Sequence, residues 1–242
     1  MELTDQWVVG FADGDGCFKI INNSTGKRYC FVISQNKRSV EVLYALKKKF
    51  GCGYVNSAGQ NMFEYRVANQ EHLKNIILPF FLKNPLQTQK IKDFELLYTD
   101  LMGTPPSFAG SDICKDWLVG FIDAEANYYV SMVKDYPRPQ FSIGLHIRDT
   151  DILNRIQSFM GCGLVFQKKS KKGAFVVYQI SSLPGFQAII KTCVTTTNRC
   201  LLKTTKRISF LRFKQIIRII EQKKHLTSEG ISRIKKINNS IR

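Results

Sequence analysis

The chain has 242 residues, 44% apolar and 23% charged, with no low-complexity tract, which excludes a disordered chain and allows one large core or two of about 100–120 residues each. Lys and Arg number 36 against 19 Asp and Glu, a net charge of +17, the balance of a nucleic-acid binder or of a protein that works on a membrane surface. No apolar run approaches the ~20 residues that span a bilayer, which excludes a transmembrane helix.

In chain order, Thr4 or Asp5 can cap a first helix. Its apolar run, Trp7-Val-Val-Gly-Phe-Ala-Asp-Gly-Asp15-Gly16, ends in two carboxylates one residue apart. Residues 16–23 and 28–36 are rich in Phe, Ile, Val, Cys and Tyr, and Asn23-Ser-Thr-Gly26 between them signals a hairpin. Residues 39–50 place Val40, Leu43, Leu46 and Phe50 on one helix face, which Gly51-Cys-Gly53 ends. A second hairpin is expected over 53–68, turning at Ser57-Ala-Gly59, and helices over 70–82 and 88–101. Gly103-Thr-Pro-Pro-Ser-Phe-Ala-Gly110 reads as a linker.

The order then starts again. Ser111 or Asp112 can cap a helix that carries Trp117-Leu-Val-Gly-Phe-Ile-Asp-Ala-Glu125-Ala126, 110 residues after its counterpart. At the same offset Phe31-Val-Ile33 meets Phe141-Ser-Ile143, and Gly51-Cys-Gly-Tyr-Val55 meets Gly161-Cys-Gly-Leu-Val165. The Lys-rich loop Lys168–Gly173 adds residues, so that Tyr65 falls on Tyr178; further on, Thr88-Gln-Lys90 meets Thr204-Thr-Lys206. Offsets that grow only in loops mean one unit duplicated and fused. The expected organisation is a repeat at 1–102, a linker at 103–110 and a second repeat at 111–242, closing with a long helix over about 203–224 and a basic, helical tail through Arg242.

Strand alternation gives each hairpin two faces. Phe18 and Ile20 point toward the helices; Cys17, Lys19, Ile21 and Asn23 point the other way, on a mixed, polar and basic face. A carboxylate where a helix stops is an electrostatic misfit, because the macrodipole is already negative there. The misfit at Asp15 and Glu125 vanishes if a divalent cation takes those acids and terminal carbonyls such as those of Gly14 and Ala124. Few, hard oxygen ligands suit Mg²⁺, which keeps water and phosphate in its remaining positions. Gly10 and Gly120 let the two helices approach closely. Asp13 and Asp123 are expected to cap or anchor loops.

Both motifs resemble the signature helix of the LAGLIDADG homing endonucleases in their single-chain, two-repeat form. Val8-Val-Gly-Phe-Ala-Asp-Gly-Asp-Gly16 and Leu118-Val-Gly-Phe-Ile-Asp-Ala-Glu-Ala126 align with it without gaps, and the flanking element order extends the resemblance over nearly the whole chain. The resemblance implies an α+β fold of two pseudo-symmetric αββαββα units. Each is a saddle-shaped antiparallel sheet backed by helices, and the units join at a two-helix interface. It implies a monomeric endonuclease that cuts both strands of a long double-stranded DNA site, leaving short 3′ overhangs and promoting intron mobility. Mg²⁺ is the implied cofactor, with Mn²⁺ expected to substitute and Ca²⁺ to bind without supporting cleavage.

Carried over by position, Asp15 and Glu125 are the implied metal ligands, Gln35 helps hold the attacking water, and Lys90 and Lys206 are candidate active-site lysines. Leu145 stands where a second Gln is expected, beside His146, and Ala126 replaces the last motif glycine, whose expected use is backbone freedom. Candidate DNA contacts are Lys19, Asn23, Arg28, Asn56, Glu64 and Arg66 in the first repeat. In the second they are Tyr129, Ser131, Arg138, Gln140, Ser142, Gln167, Lys169 and Gln179. Lys223, Lys224, Arg233, Lys235 and Lys236 in the tail are phosphate contacts or solvated positions. An intron RNA-splicing maturase and a non-catalytic DNA-binding regulator are the alternatives on this scaffold; the first adds host intron RNA as a partner. Met1-Glu-Leu-Thr-Asp-Gln6 is neither a signal nor a transit peptide. Seven cysteines without a Cys-x-x-Cys pair read as reduced thiols. Abundant Lys, Asn, Ile and Phe point to an A/T-rich genome, so the chain is expected inside the cell, encoded in a mitochondrion or chloroplast.

Overall fold

The computed structural model describes the chain apart from Thr25, Ala109, Ser111, Asp135, Lys171, Lys172, residues 240–242 and the side chain of Ser170. The turn residue Thr25, the cap candidate Ser111, two lysines of the Lys-rich loop and the end of the tail therefore lie outside the described residues. The chain forms two compact units, Met1–Ala124 and Glu125–Arg242.

In the first unit, α1 (Asp5–Asp15) starts at Thr4, whose Oγ1 accepts the N–H of Trp7 at 3.2 Å. It passes directly into β1 (Gly16–Asn23), which pairs antiparallel with β2 (Gly26–Asn36). α2 (Val40–Phe50) buries Val42, Leu43, Leu46 and Phe50 and stops at Gly51, φ 67°, a left-handed position that favours glycine. β3 (Tyr54–Ser57) and β4 (Met62–Val67) complete a sheet of order β1-β2-β4-β3.

The helix expected over 70–82 is broken into α3 (Gln70–His72) and α4 (Leu78–Lys83). Between them, over Leu73–Ile77, the coil widens so that the N–H of Leu78 reaches the carbonyl of Leu73. Pro79 follows; it lacks an N–H, so a regular ladder loses a bond there, and the wide turn absorbs the defect. α5 (Lys90–Met102) closes the core. The Phe18 ring lies 4.9 Å from Phe31 and 5.2 Å from both Phe81 and Phe94, joining two strands and two helices; such pairs add about 0.5–1.5 kcal/mol each beyond burial.

α6 (Lys115–Glu125) carries the second motif. Its first turn is capped by Cys114, whose Sγ accepts the N–H of Trp117 at 3.5 Å, rather than by Asp112. α6 packs on α1 backbone to backbone. A Cβ on Gly10 would sit 1.9 Å from the carbonyl oxygen of Trp117, and one on Gly120 2.1 Å from that of Trp7. That contact is why the first compact unit runs on to Ala124, past the linker that separates the repeats in sequence.

The second unit repeats the plan. β5 (Ala126–Val133) and β6 (Tyr136–His146) pair, and α7 (Thr150–Met160) stops at Gly161, φ 63°. β7 (Leu164–Ser170) and β8 (Gly173–Ile180) give the order β5-β6-β8-β7. α8 (Leu183–Thr192) follows, capped by Ser182. The Tyr128 ring lies 5.4 Å from Phe141 and Phe213 and 5.6 Å from Phe210, joining the sheet to α9 (Lys206–Glu221). α9 ends sooner than expected; a turn at Lys224–Leu226 leads into α10 (Ser228–Asn239). This tail is docked: Ile234 is fully buried, and Asn238 Nδ2 donates to the carbonyl of Val130 at 2.9 Å. No helix among the described residues is long and apolar enough to cross a membrane.

Candidate active site

The last turn of α1 gathers negative charge, from carbonyls the helix leaves unpaired and from the carboxylate of Asp15. Two donors meet it. Gln35, near the end of β2, donates Nε2 to Oδ2 of Asp15 at 2.5 Å. Lys90, the first residue of α5, donates Nζ to the carbonyl of Gly14 and, at 3.5 Å, to that of Ala12. Asp15, Gln35, Lys90 and Gly14 are thus brought together in the first unit.

Asp13 organises the approach of Lys90. It is buried, and its carboxylate accepts the N–H of Gln87 at 2.9 Å, the N–H of Thr88 at 2.9 Å, the hydroxyl of Thr88 at 2.7 Å and the indole N–H of Trp117 at 2.8 Å. Burial pushes this carboxyl up from its ordinary 3.8, and the donors, led by the Gln87 backbone, pull the other way. Thr88 Oγ1 also accepts the N–H of Lys90 at 3.3 Å. The first acid of the motif is therefore an anchor, as expected. The link from it to Lys90 through Thr88 is legible in sequence only as the recurring Thr-x-Lys spacing.

Gly16 corrects one expectation. Its φ is −78°, ordinary for any residue, so glycine is not there for backbone freedom. It is there for room: a Cβ would lie 2.6 Å from the carbonyl oxygen of Ala12. Ala126, its counterpart, is buried at the start of β5.

In the second unit the N–H of Lys206 donates to Thr204 Oγ1 at 3.1 Å, the same arrangement as Thr88 and Lys90. Leu145 lies opposite Val176, where Gln35 lies opposite Phe63. His146 does not stand in for the missing amide. Its Nδ1 accepts the N–H of Arg148 at 3.2 Å, as Asn36 Oδ1 accepts that of Arg38 at 3.1 Å; both are turn caps.

The donor set fits the divalent ion the fold family implies. Asp15 offers carboxylate oxygen, and the Gly14 carbonyl already faces a cationic group, the Lys90 ammonium. Glu125 and the carbonyl of Ala124 are the corresponding atoms of the second motif. Among the described residues no three His, Cys, Asp or Glu side chains gather as a metal cage.

Each sheet has one face covered by helices and one open. In the first sheet Lys19 lies opposite Cys30, Val32 opposite Arg66, and Glu64 opposite both Ser34 and Asn56. Lys19, Asn23, Arg28, Asn56, Glu64 and Arg66 all fall on this open face. Arg66 is held along it by Glu64, Nε to Oε1 at 2.7 Å, and its Nη1 donates to the sulfur of Cys30 at 3.6 Å. In the second sheet Tyr129, Ser131, Arg138, Gln140, Ser142 and Gln179 share the open face.

Gln167 and Lys169 do not share it. They lie opposite Val176 and Ala174, and Val176 is core. β7 offers Leu164, Phe166 and Lys168 to the open face instead. Phe166 is the positional counterpart of Asn56, and the polar Gln167 one residue later is turned over by strand alternation.

The family model for LAGLIDADG endonucleases matches residues 8–99 and 118–217, so each matched span begins at one acidic motif. The chain is 24% identical over 300 residues to "Probable intron-encoded endonuclease 2" of Neurospora crassa, covering 99% of this chain and 65% of that protein. It is 32% identical over 158 residues to "Probable intron-encoded endonuclease Cox1-I1b" of Schizosaccharomyces pombe, covering 52% of this chain and 41% of that protein. The chain thus spans less than two thirds of these relatives. Among solved structures, I-SmaMI bound to uncleaveable DNA matches with a TM-score of 0.87 at 24% identity, over 100% of this chain and 99% of that one. I-SmaMI bound to an uncleaved DNA target in the presence of calcium ions matches at 0.81 and 23%, over 99% of each. At such identity the likeness is one of fold. With two matched spans that each open on an acid-terminated helix, the chain belongs to the LAGLIDADG endonuclease family.

Proposed function

We propose that this chain is a site-specific DNA endonuclease that hydrolyses both strands of a long duplex with Mg²⁺, leaves short 3′ overhangs and promotes the mobility of an intron that encodes it. It acts as a monomer, its repeats 1–102 and 111–242, joined by 103–110, each serving one strand. The mitochondrial origin of that intron is supported by the Cox1 intron named for one relative. The observation that carries the reading is the cluster at the end of α1: an acid, an amide and an ammonium where a helix should tolerate no added negative charge.

In this reading Asp15 with the Gly14 carbonyl, and Glu125 with that of Ala124, would hold the metal, which would polarise the phosphate and lower the pKa of water. Gln35 fixes the carboxylate of Asp15 and leaves Oε1 and its second N–H to orient a water beside it. Lys90 offers positive charge as negative charge builds on the phosphate oxygens. Lys and Arg on the open sheet faces hold phosphates, and the polar side chains among them read base edges.

The test is incubation of the purified chain with a plasmid library of intron-insertion junctions. A defined double-strand cut that needs Mg²⁺ supports the proposal; DNA binding with no cleavage in Mg²⁺ or Mn²⁺ replaces it with a regulator.

A further inference from the structure

β7 and β8 place Leu164, Phe166, Phe175 and Val177 on the open face of the second sheet. Leu164 is 68% exposed, and Phe166 lies directly opposite Val177. Lys168 lies opposite Phe175, with its Nζ 5.2 Å from the centre of the Phe166 ring. Gly144, opposite Val177 on β6, adds no side chain; a Cβ there would touch only Val177 Cγ2, at 3.9 Å. The duplication supplies an internal control. The corresponding places of the first sheet hold Tyr54, Asn56, Met62 and Glu64, and Glu64 there forms the ion pair with Arg66. Tyr54, Asn56 and Glu64 carry hydrogen-bonding groups where the second repeat has Leu164, Phe166 and Val177, and only Met62 is apolar like its counterpart Phe175.

An apolar patch on an open strand face is an aggregation hazard unless a partner covers it. Here it adjoins the polar row of Gln179, Ser142 and Asn127, carries Lys168, and belongs to a chain of net charge +17. That surround selects a polyanion. In the major groove of duplex DNA the apolar feature on a base edge is the C5 methyl group of thymine. We infer that Leu164 and Phe166 read thymine methyl groups, so that the two half-sites are specified by different chemistry. Hydrogen bonding through Arg66 and its neighbours dominates in the half bound by the first repeat. Methyl contact specifies a run of thymines in the half bound by the second. This rests on the DNA endonuclease reading above.

The experiment uses the full chain in Ca²⁺ and duplexes it selects from a randomised library. Each thymine of the selected site is replaced in turn by deoxyuridine, which removes the methyl group alone, and binding is followed by fluorescence anisotropy. Adjacent replacements in one half-site are expected to weaken binding about fourfold each, the transfer of one buried carbon group. Replacements in the other half change little. In the Leu164→Ala, Phe166→Ala double variant, at exposed and half-buried positions, the deoxyuridine penalty disappears. A tight selected site with no such penalty, or one that persists in the double variant, overturns the inference and leaves the DNA reading intact. Failure to select any duplex overturns both.

Discussion

The hydroxyl of Thr88 donates to Oδ1 of Asp13 at 2.7 Å, and the same hydroxyl oxygen accepts the N–H of Lys90. A buried acid of the motif thereby sets the start of α5, and the start of α5 aims an ammonium at the end of α1. Asp13 is a positioning residue. Asp13→Ala orphans the donors of Gln87, Thr88 and Trp117, each worth about 1–3 kcal/mol when buried unpaired. A large fall in melting temperature is expected, with loss of cleavage. Thr88→Val keeps the volume and removes one bond. It is expected to lower cleavage turnover more than DNA affinity, and calorimetry beside single-turnover kinetics checks both.

Gln35 has no amide counterpart, because Leu145 takes its place and His146 is committed to Arg148. The two strands should therefore be cut at unequal rates, with nicked circles rising before linear product. Gln35→Leu is expected to slow one strand by about 10²-fold, the loss of one preorganised donor, with the dissociation constant unchanged within about twofold. Strand-specific end labels read this directly.

Gly10 and Gly120 put two backbones in contact. Gly10→Ala forces a Cβ to 1.9 Å from a carbonyl oxygen, which no rotamer change relieves. Its cost should exceed the ~1–3 kcal/mol of ordinary overpacking, read as a fall of more than about 5 °C in melting temperature. Gly51→Ala meets no neighbour and carries only the left-handed backbone penalty, so it should be the milder change.

Most of the framework was legible because it rests on local rules. The helix ended by Gly51, the hairpin parity of β1 and the motif repeat follow from backbone preference and alternation. Leu43, Leu46 and Phe50 are core because their spacing allows nothing else. What was not legible depended on contacts far apart in sequence. The packing of α6 on α1 through Gly10 and Gly120 is an exception, since the paired glycines already point to it. Cys114 caps α6 where Asp112 was the obvious cap, because capping depends on geometry at the helix start and not on polarity alone. Strand parity counted from the sequence puts Gln167 and Lys169 on the open face, but the register of β7 against β8 pairs them with Val176 and Ala174 on the other one. The wide turn before Pro79 answers a defect that helix periodicity does not register. At the site, the motif and the strand end mark Asp15 and Gln35, whereas the tie of Asp13 to Thr88 and Lys90 spans 75 residues and follows only from the fold.

Asp100 gives a pH test. It accepts bonds from Lys27 at 2.5 Å and Tyr29 at 2.8 Å, joining α5 to the first hairpin, and these hold its carboxyl below its ordinary 3.8, the Lys27 bond first. A carboxyl lowered on folding stabilises above its unfolded pKa, and the contribution is lost as pH falls through the folded value. The melting-temperature difference between wild type and Asp100→Asn should be constant above pH 5 and shrink below 3.8. A difference that grows in acid refutes the assignment.

The most direct measurement is plasmid cleavage in Mg²⁺ by wild type, Asp15→Asn, Glu125→Gln and the double variant, with target affinity measured alongside. The account predicts that wild type linearises the plasmid, that each single variant loses double-strand cutting, and that the double variant binds with near-native affinity and leaves the plasmid supercoiled. A double variant that still linearises the plasmid at the wild-type rate would contradict it.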